Sequence, residues 1–116
     1  MRIYEIKDKQ NRVFAFEIEN ILIGRRGVCR LVKTIPNVRF IRGLKGHLWW
    51  ADDTFCIFEV RGQIFHAWES WGDSSRYWIG PEPPKWCEQI EEVKMVFSKY
   101  NPIKDLLSIN NWLNLP

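Results

Sequence analysis

The sequence has few of the residues that build most catalytic and metal sites. Its two histidines are His47 and His66, and its three cysteines, Cys29, Cys56 and Cys87, match no metal-ligand spacing. The glycine-rich patterns that hold phosphates, G-x-x-x-x-G-K and G-x-G-x-x-G, do not occur. We therefore expect no bound metal, no cofactor and no enzymatic activity.

Long apolar runs are also missing. No stretch approaches the roughly 20 apolar residues that span a bilayer, and residues 1–7 alternate instead of forming the apolar core of a signal peptide. The odd number of cysteines, with no C-x-x-C pair, favours reduced thiols that act as small buried hydrophobes. These absences predict a cytoplasmic protein that does not engage a membrane.

The length and composition fit one globular domain. The chain has 116 residues, of which 46% are hydrophobic and 27% are charged, close to the averages for globular proteins. A chain of this size can bury about two thirds of its unfolded surface around one core. We expect residues 1–116 to form a single α+β domain.

Alternation of polar and apolar residues predicts that most of the chain before residue 80 is β-structure. Two hairpins are indicated: one joins strands 2–7 and 12–18, and the other joins strands 55–60 and 63–69 through Arg61-Gly62. Shorter strands are expected at 38–42, 48–50 and 76–79. Because short turns join most of these strands, the predicted sheet is antiparallel with five to six strands.

Three helices are expected to pack mainly on one face of this sheet. The first spans about 24–35 and ends before Pro36. The prolines at positions 81, 83 and 84 end the sheet, because proline lacks an amide donor, and a helix over 85–100 follows with Pro84 at its start. Its apolar stripe is Trp86, Ile90, Val93, Phe97 and Tyr100. A last helix is expected at about 102–113.

Tryptophan is unusually abundant, with seven residues in the chain. Five of them lie between positions 49 and 78, together with residues that form turns and ion pairs. If helices cover only one face of the sheet, the remaining indoles form an exposed aromatic patch typical of protein-binding hot spots. The predicted partner-binding residues are Trp49, Trp50, Trp68, Trp71, Asp73, Arg76 and Trp78. The alternative is that these tryptophans belong to the core and that Arg76 pairs with Glu69 or Asp73.

The basic residues are concentrated in the first half of the chain. Residues 1–50 carry 11 lysines and arginines against 4 acidic residues. Four of these cations, Arg25, Arg26, Arg30 and Lys33, lie on or beside one face of the first predicted helix. Such a helix could contact nucleic-acid phosphates, with Trp49 or Trp50 stacking on unpaired bases. The alternative is an ordinary solvated helix face.

A small enzyme that uses a histidine and a carboxylate is a further alternative. It would combine His66 or His47 with Glu69, Asp73 and Arg76. Alternation along the strand opposes this arrangement, because it directs His66 and Glu69 to opposite faces. A Cys56–His66 pair is opposed on the same ground, since the register of the second hairpin places Cys56 opposite Ala67.

The predicted helix over 85–100 carries three acidic residues, Glu88, Glu91 and Glu92. They could pair with the basic residues of the first helix, bind a cationic partner or simply keep the surface solvated.

Taken together, the patterns predict a non-enzymatic, cytoplasmic protein-binding module. By analogy with small bacterial α+β domains that lack an active-site motif, its specific form is an immunity-protein-like or antitoxin-like inhibitor.

Overall fold

The computed structural model describes residues 1–21, 23–42, 54–69 and 75–101. This part of the chain is an α+β fold with one six-stranded antiparallel sheet and two helices. Its elements are β1 (Tyr4–Lys7), β2 (Val13–Glu19), α1 (Gly24–Val32), β3 (Val38–Arg42), β4 (Thr54–Val60), β5 (Gln63–Trp68), β6 (Arg76–Pro81) and α2 (Ile90–Lys99).

The strands lie side by side in the order β1-β2-β6-β5-β4-β3. After the β1–β2 hairpin, the chain passes through α1 to β3 at the far edge of the sheet. It then returns strand by strand from β3 to β6, which pairs with β2. The last strand of this meander therefore lies next to the first hairpin.

Both predicted hairpins are present, and their turns have the expected chemistry. Arg61 and Gly62 have φ values of 47° and 86°, the left-handed conformation that a two-residue hairpin turn needs. The register of β4 and β5 places Cys56 opposite Ala67, as predicted. In the first hairpin, the Asp8 carboxylate accepts hydrogen bonds from the backbone N–H groups of Gln10 and Arg12, both at 2.9 Å.

Both helices pack on the same face of the sheet. Phe97 of α2 contacts Phe16 of β2, with ring centroids 5.5 Å apart. Cys29 of α1 lies against β4, where its Sγ is 3.5 Å from the backbone oxygen of Phe55. The strand registers place Phe16, Ile79, Ala67 and Cys56 in one row across the sheet, so these contacts share a face. This face supplies the hydrophobic core.

Helix α1 is shorter than the prediction of 24–35. It ends at Val32, and the next three residues form a tighter turn in which Lys33, Thr34 and Ile35 donate hydrogen bonds to carbonyls three residues back. Asn37 then adopts a positive φ of 62°. The apolar spacing through Ile35 reflects burial of that residue in the core rather than a further helical turn.

The prediction that the sheet ends before Pro81 is wrong. Strand β6 continues through Gly80 and Pro81, which pair with His66 and Phe65 of β5. The ladder between β6 and β2 ends two residues earlier, with Ile79 opposite Phe16. Pro81 thus lies beyond the last pair on that side, a position where a strand tolerates the missing amide.

Helix α2 begins at Ile90, later than the prediction of residue 85 with Pro84 in the first turn. The Lys85 N–H bonds to the carbonyl of Pro83, two residues back, so the chain forms a tight turn there instead. Ile90, Val93 and Phe97 of the predicted stripe are fully buried, whereas Trp86 precedes the helix and is 40% exposed. The Arg12 guanidinium lies over the Trp86 ring.

Two predicted elements, the strand at 48–50 and the helix at 102–113, lie outside the described residues. Within the described ranges, neither helix has the length and apolar character needed to cross a membrane.

Two acidic residues of α2 form ion pairs with nearby cations. Glu92 pairs with Arg61, and Glu91 pairs with Lys94.

Candidate partner-binding face

The sheet face opposite α1 and α2, here called the open face, carries a mixture of aromatic and charged side chains. Strand alternation and the strand registers place on it Tyr4, Ala15, Glu17, Arg39, Ile57, Glu59, Ile64, His66, Trp68, Arg76 and Trp78. Neither of the two described helices packs on this face. Three of its side chains, His66, Trp68 and Trp78, contact one another and are called the aromatic cluster.

The aromatic cluster forms at the centre of the sheet because β5 and β6 pair there. Trp68 and Trp78 are direct cross-strand partners, with ring centroids 6.0 Å apart and the rings edge to face. His66 stands edge-on to Trp78 at 5.2 Å. Edge-to-face packing of aromatic rings adds stability beyond the apolar area that they bury. All three side chains are only partly buried.

Trp78 is positioned by two small residues beneath it. A Cβ atom on Gly80 would lie 2.6 Å from Cη2 of the Trp78 ring and 2.8 Å from the Cβ of Ala15 on β2. Both distances are shorter than real Cβ contacts, so no side chain fits at position 80 without displacing its neighbours. Glycine therefore allows the indole to lie flat along β6, where it helps to cover the fully buried Ala15.

Trp68 carries an indole N–H that is buried and has no hydrogen-bond partner in the described part of the chain. A buried donor without a partner costs about 1–3 kcal/mol, because its hydrogen bond to water is lost. Such a group is uncommon in stable domains. The unpartnered N–H therefore offsets part of the stability that the ring contacts of the aromatic cluster supply.

His66 is held in its neutral form by its surroundings. Its side chain is 22% exposed, and this burial lowers the pKa of His66, while the negative charge of Glu82 opposes the shift. The distance from Nε2 to the Glu82 carboxylate is 3.8 Å, longer than a hydrogen bond. The uncharged imidazole therefore adds no net charge beside the two indoles.

Charged residues border the aromatic cluster on both sides. Towards β1, the Arg76 guanidinium lies 3.5 Å from the centre of the Tyr4 ring and 3.4 Å from the Glu17 carboxylate. Towards β3, Arg39 and Glu59 form an ion pair at 2.9 Å. An apolar centre with a polar rim is the usual composition of protein–protein interfaces.

The structure describes three of the seven predicted partner-binding residues. Trp68, Arg76 and Trp78 all lie on the open face, whereas Trp49, Trp50, Trp71 and Asp73 lie outside the described residues. Tyr4 and Glu17 belong to the same face, but they were not predicted. Only the pairing of β2 with β6 brings them next to Arg76, and no local pattern in the sequence indicates that pairing.

Glu69 and Arg76 do not form the predicted ion pair. Glu69 lies on the helix side of the sheet and accepts hydrogen bonds from Arg25 of α1, the shorter at 2.6 Å. Arg76 points to the open face, next to Glu17. The same alternation separates His66 from Glu69, so these two residues do not form an imidazole–carboxylate pair. His47 and Asp73 lie outside the described ranges.

The four predicted basic residues are in two different environments. Arg25 is paired with Glu69 and lies over the Phe55 ring, and Lys33 lies over the Phe40 ring. Arg26 and Arg30 are exposed and form no ion pair with any described residue. A cleft of about 160 Å³ lies beside Arg30, between α1 and the end of α2, and is lined by Gly27, Leu31, Thr34 and Tyr100.

The described residues contain no group of three histidine, cysteine or acidic side chains able to hold a metal ion. Comparison with known proteins adds no family to this description. The chain matches no protein family model, no curated protein and no solved structure.

Proposed function

We propose that this chain is a cytoplasmic, non-enzymatic binding module that holds a protein partner against the open face. The observation that carries the proposal is that both described helices pack on one side of the sheet. Helices α1 and α2 cover one face of the sheet, and the aromatic cluster lies on the other, partly exposed. Indole rings supply large apolar contact areas with little loss of side-chain entropy on binding.

The composition of the open face favours a protein partner with both apolar and charged groups. The aromatic cluster would bury its apolar edges against the partner, and Arg76 and Glu17 at the rim would pair with charges of the opposite sign. The specific form that we propose is an immunity-protein-like or antitoxin-like inhibitor, in which the open face blocks the partner's active surface.

The proposal is tested by capturing partners from lysate of the source cells on the immobilised protein, at low and high salt and after nuclease treatment. We expect one stoichiometric protein that resists salt and nuclease, because apolar burial at the aromatic cluster is not screened by ions. Trp78→Ala should abolish capture. Arg76→Ala, a smaller change at the rim of the same face, should weaken it.

Trp86→Ala is the matched control for Trp78→Ala. It removes the same side chain from an exposed site that lies outside the aromatic cluster, beside Arg12. Each variant is first shown to keep the far-ultraviolet circular dichroism of the parent. Equal capture by the parent, the Trp78→Ala variant and the Arg76→Ala variant would contradict the proposal.

Nucleic-acid binding is the second candidate, and the observation in its favour is the exposure of Arg26 and Arg30. Both guanidinium groups are exposed and lack an ion-pair partner among the described residues, next to a cleft walled partly by Tyr100. Phosphate contacts make binding fall steeply with salt. Retention of single-stranded DNA or RNA that declines with salt and is lost in Arg26→Ala/Arg30→Ala would support it. The matched control is Arg39→Ala, whose arginine is already paired with Glu59.

A further inference from the structure

Two buried thiols lie within hydrogen-bonding reach of each other between helix α1 and the sheet. Cys29 lies in the middle of α1, and Cys56 lies on the helix side of β4. The Cys29 sulfur is 3.5 Å from the backbone oxygen of Phe55, in the peptide group that joins Phe55 to Cys56. Both side chains point into the same layer of the core, and both are free thiols.

The surroundings of the two thiols suit an attacking and a resolving group. A hydrogen bond from Cys56 lowers the pKa of Cys29 although burial opposes it, and the positive charge of Lys33, the residue after α1, acts in the same direction as the hydrogen bond. The same interaction and deep burial raise the pKa of Cys56, which therefore stays protonated. Cys29 is also the more accessible of the two, with 9% of its surface exposed against 1%.

We propose that Cys29 and Cys56 form a reversible intramolecular disulfide when the protein reacts with hydrogen peroxide. The Cys29 thiolate attacks one peroxide oxygen and breaks the O–O bond, which gives Cys29 sulfenic acid and hydroxide. The Cys56 sulfur then attacks the Cys29 sulfur, and the sulfenic hydroxyl leaves as water with the Cys56 proton. Two thiol sulfurs are oxidised by two electrons, and one peroxide is reduced.

The bond would join α1 directly to β4, the central part of the meander. Cross-linking residues far apart in sequence restricts the unfolded chain more than the folded one, so the oxidised protein should unfold at a higher temperature. Cys87 takes no part in this reaction. It lies in the segment before α2, and burial raises its pKa. The inference does not depend on the proposed binding function.

The test uses the whole chain treated with hydrogen peroxide and then denatured for thiol titration. Reactive thiols should fall from three to one, and the mass should fall by two hydrogen atoms. Digestion without reductant should yield one linked peptide pair that contains Cys29 and Cys56. Dithiothreitol should restore all three thiols and return the unfolding temperature to its starting value.

Two variants separate the proposed chemistry from other oxidation. In Cys87→Ser the thiol count should fall from two to none, with the same linked peptides. In Cys56→Ser, Cys29 has no resolving thiol, so its sulfenic acid should persist and be trapped by dimedone. Retention of three thiols in the parent would overturn the proposal, and so would a bond that includes Cys87, a bond between two chains, or direct conversion of Cys29 to a sulfinic acid.

Discussion

Gly80→Ala is a single-methyl change that tests how the aromatic cluster is built. In the structure, the new Cβ would lie 2.6 Å from Cη2 of Trp78 and 2.8 Å from the Cβ of Ala15. The Trp78 ring can rotate away because that contact is at the far end of its side chain. The Ala15 contact cannot be relieved in this way, since a Cβ moves only with the backbone of β2.

The cost of this change follows from the two contacts. Forcing an extra methyl group into a packed site costs about 1–3 kcal/mol through shifted side chains and backbone. For a domain of this size, each kcal/mol corresponds to about 4 °C in the unfolding midpoint. We therefore expect Gly80→Ala to lower the midpoint measurably, and also to weaken partner capture because Trp78 leaves its place over Ala15.

The assay is thermal and urea unfolding, followed by circular dichroism, for a double-mutant cycle with Ala15→Gly. Removing the Ala15 Cβ removes the contact that cannot otherwise be relieved. Gly80→Ala should therefore be less destabilising in the Ala15→Gly background than in the parent.

Gly62→Ala is the control for this cycle. Gly62 has a φ of 86° and open space around it, so an alanine there is destabilising through backbone strain of about 1 kcal/mol and not through a clash. Ala15→Gly should not relieve that strain. If Gly80→Ala leaves stability unchanged, or if its cost is the same with and without Ala15→Gly, the described packing of Trp78 on Gly80 and Ala15 is refuted.

Two further predictions concern the core and the pH dependence of stability. Phe97→Ala should cost about 3–5 kcal/mol in urea unfolding, because its fully buried ring contacts Phe16, whereas Met95→Ala on the exposed side of α2, where Met95 is 53% exposed, should cost about 0.5 kcal/mol or less. Burial lowers the pKa of His66 in the folded protein below its unfolded value of about 6.5. As the pH falls, the unfolded chain therefore takes up the proton first. The stability that neutral His66 contributes is complete above about pH 6.5 and is lost as the pH drops from there towards the folded pKa. Unfolding curves at pH values from about 7 to about 5 should therefore show a smaller loss of stability in His66→Gln than in the parent, and an equal loss would contradict the assigned shift.

Local sequence patterns predicted the hairpins well because each hairpin depends on neighbouring residues. Arg61-Gly62 supplies the positive φ values of a two-residue turn, and this turn sets the register that places Cys56 opposite Ala67. Alternation along β5 likewise predicted that His66 and Glu69 lie on opposite faces. These features are determined by interactions between residues close together in the chain.

The remaining features depend on contacts between distant segments. The predicted start of α2 is wrong because the spacing of Trp86 fits a helical stripe. The Trp86 side chain instead packs with Arg12, in a turn that precedes the helix. The place of Pro81 within β6 depends on where the ladder with β2 ends. The residues next to Trp86 and Pro81 in the sequence do not indicate either contact.

The sequence indicated several residues of the candidate site, but not the strand pairings that bring them together. The sequence placed Trp68, Arg76 and Trp78 in one short region, and the structure places them on one face because β5 pairs with β6. The rim formed by Tyr4 and Glu17 requires the pairing of β2 with β6, about 60 residues apart. The four predicted basic residues differ in environment for a similar reason, because one of them contacts a distant segment. Glu69, the residue after β5, pairs with Arg25, whereas Arg26 and Arg30 are exposed.

The most direct test of the binding account is to observe the indole N–H signals by nuclear magnetic resonance while the captured partner is added. The chain has seven tryptophans, and the signals of Trp68, Trp78 and Trp86 can be assigned with single Trp→Phe variants. The account predicts that the Trp68 and Trp78 signals shift while the Trp86 signal stays in place. Unchanged Trp68 and Trp78 signals, together with shifted backbone amides at Arg26 and Arg30 of α1, would contradict it.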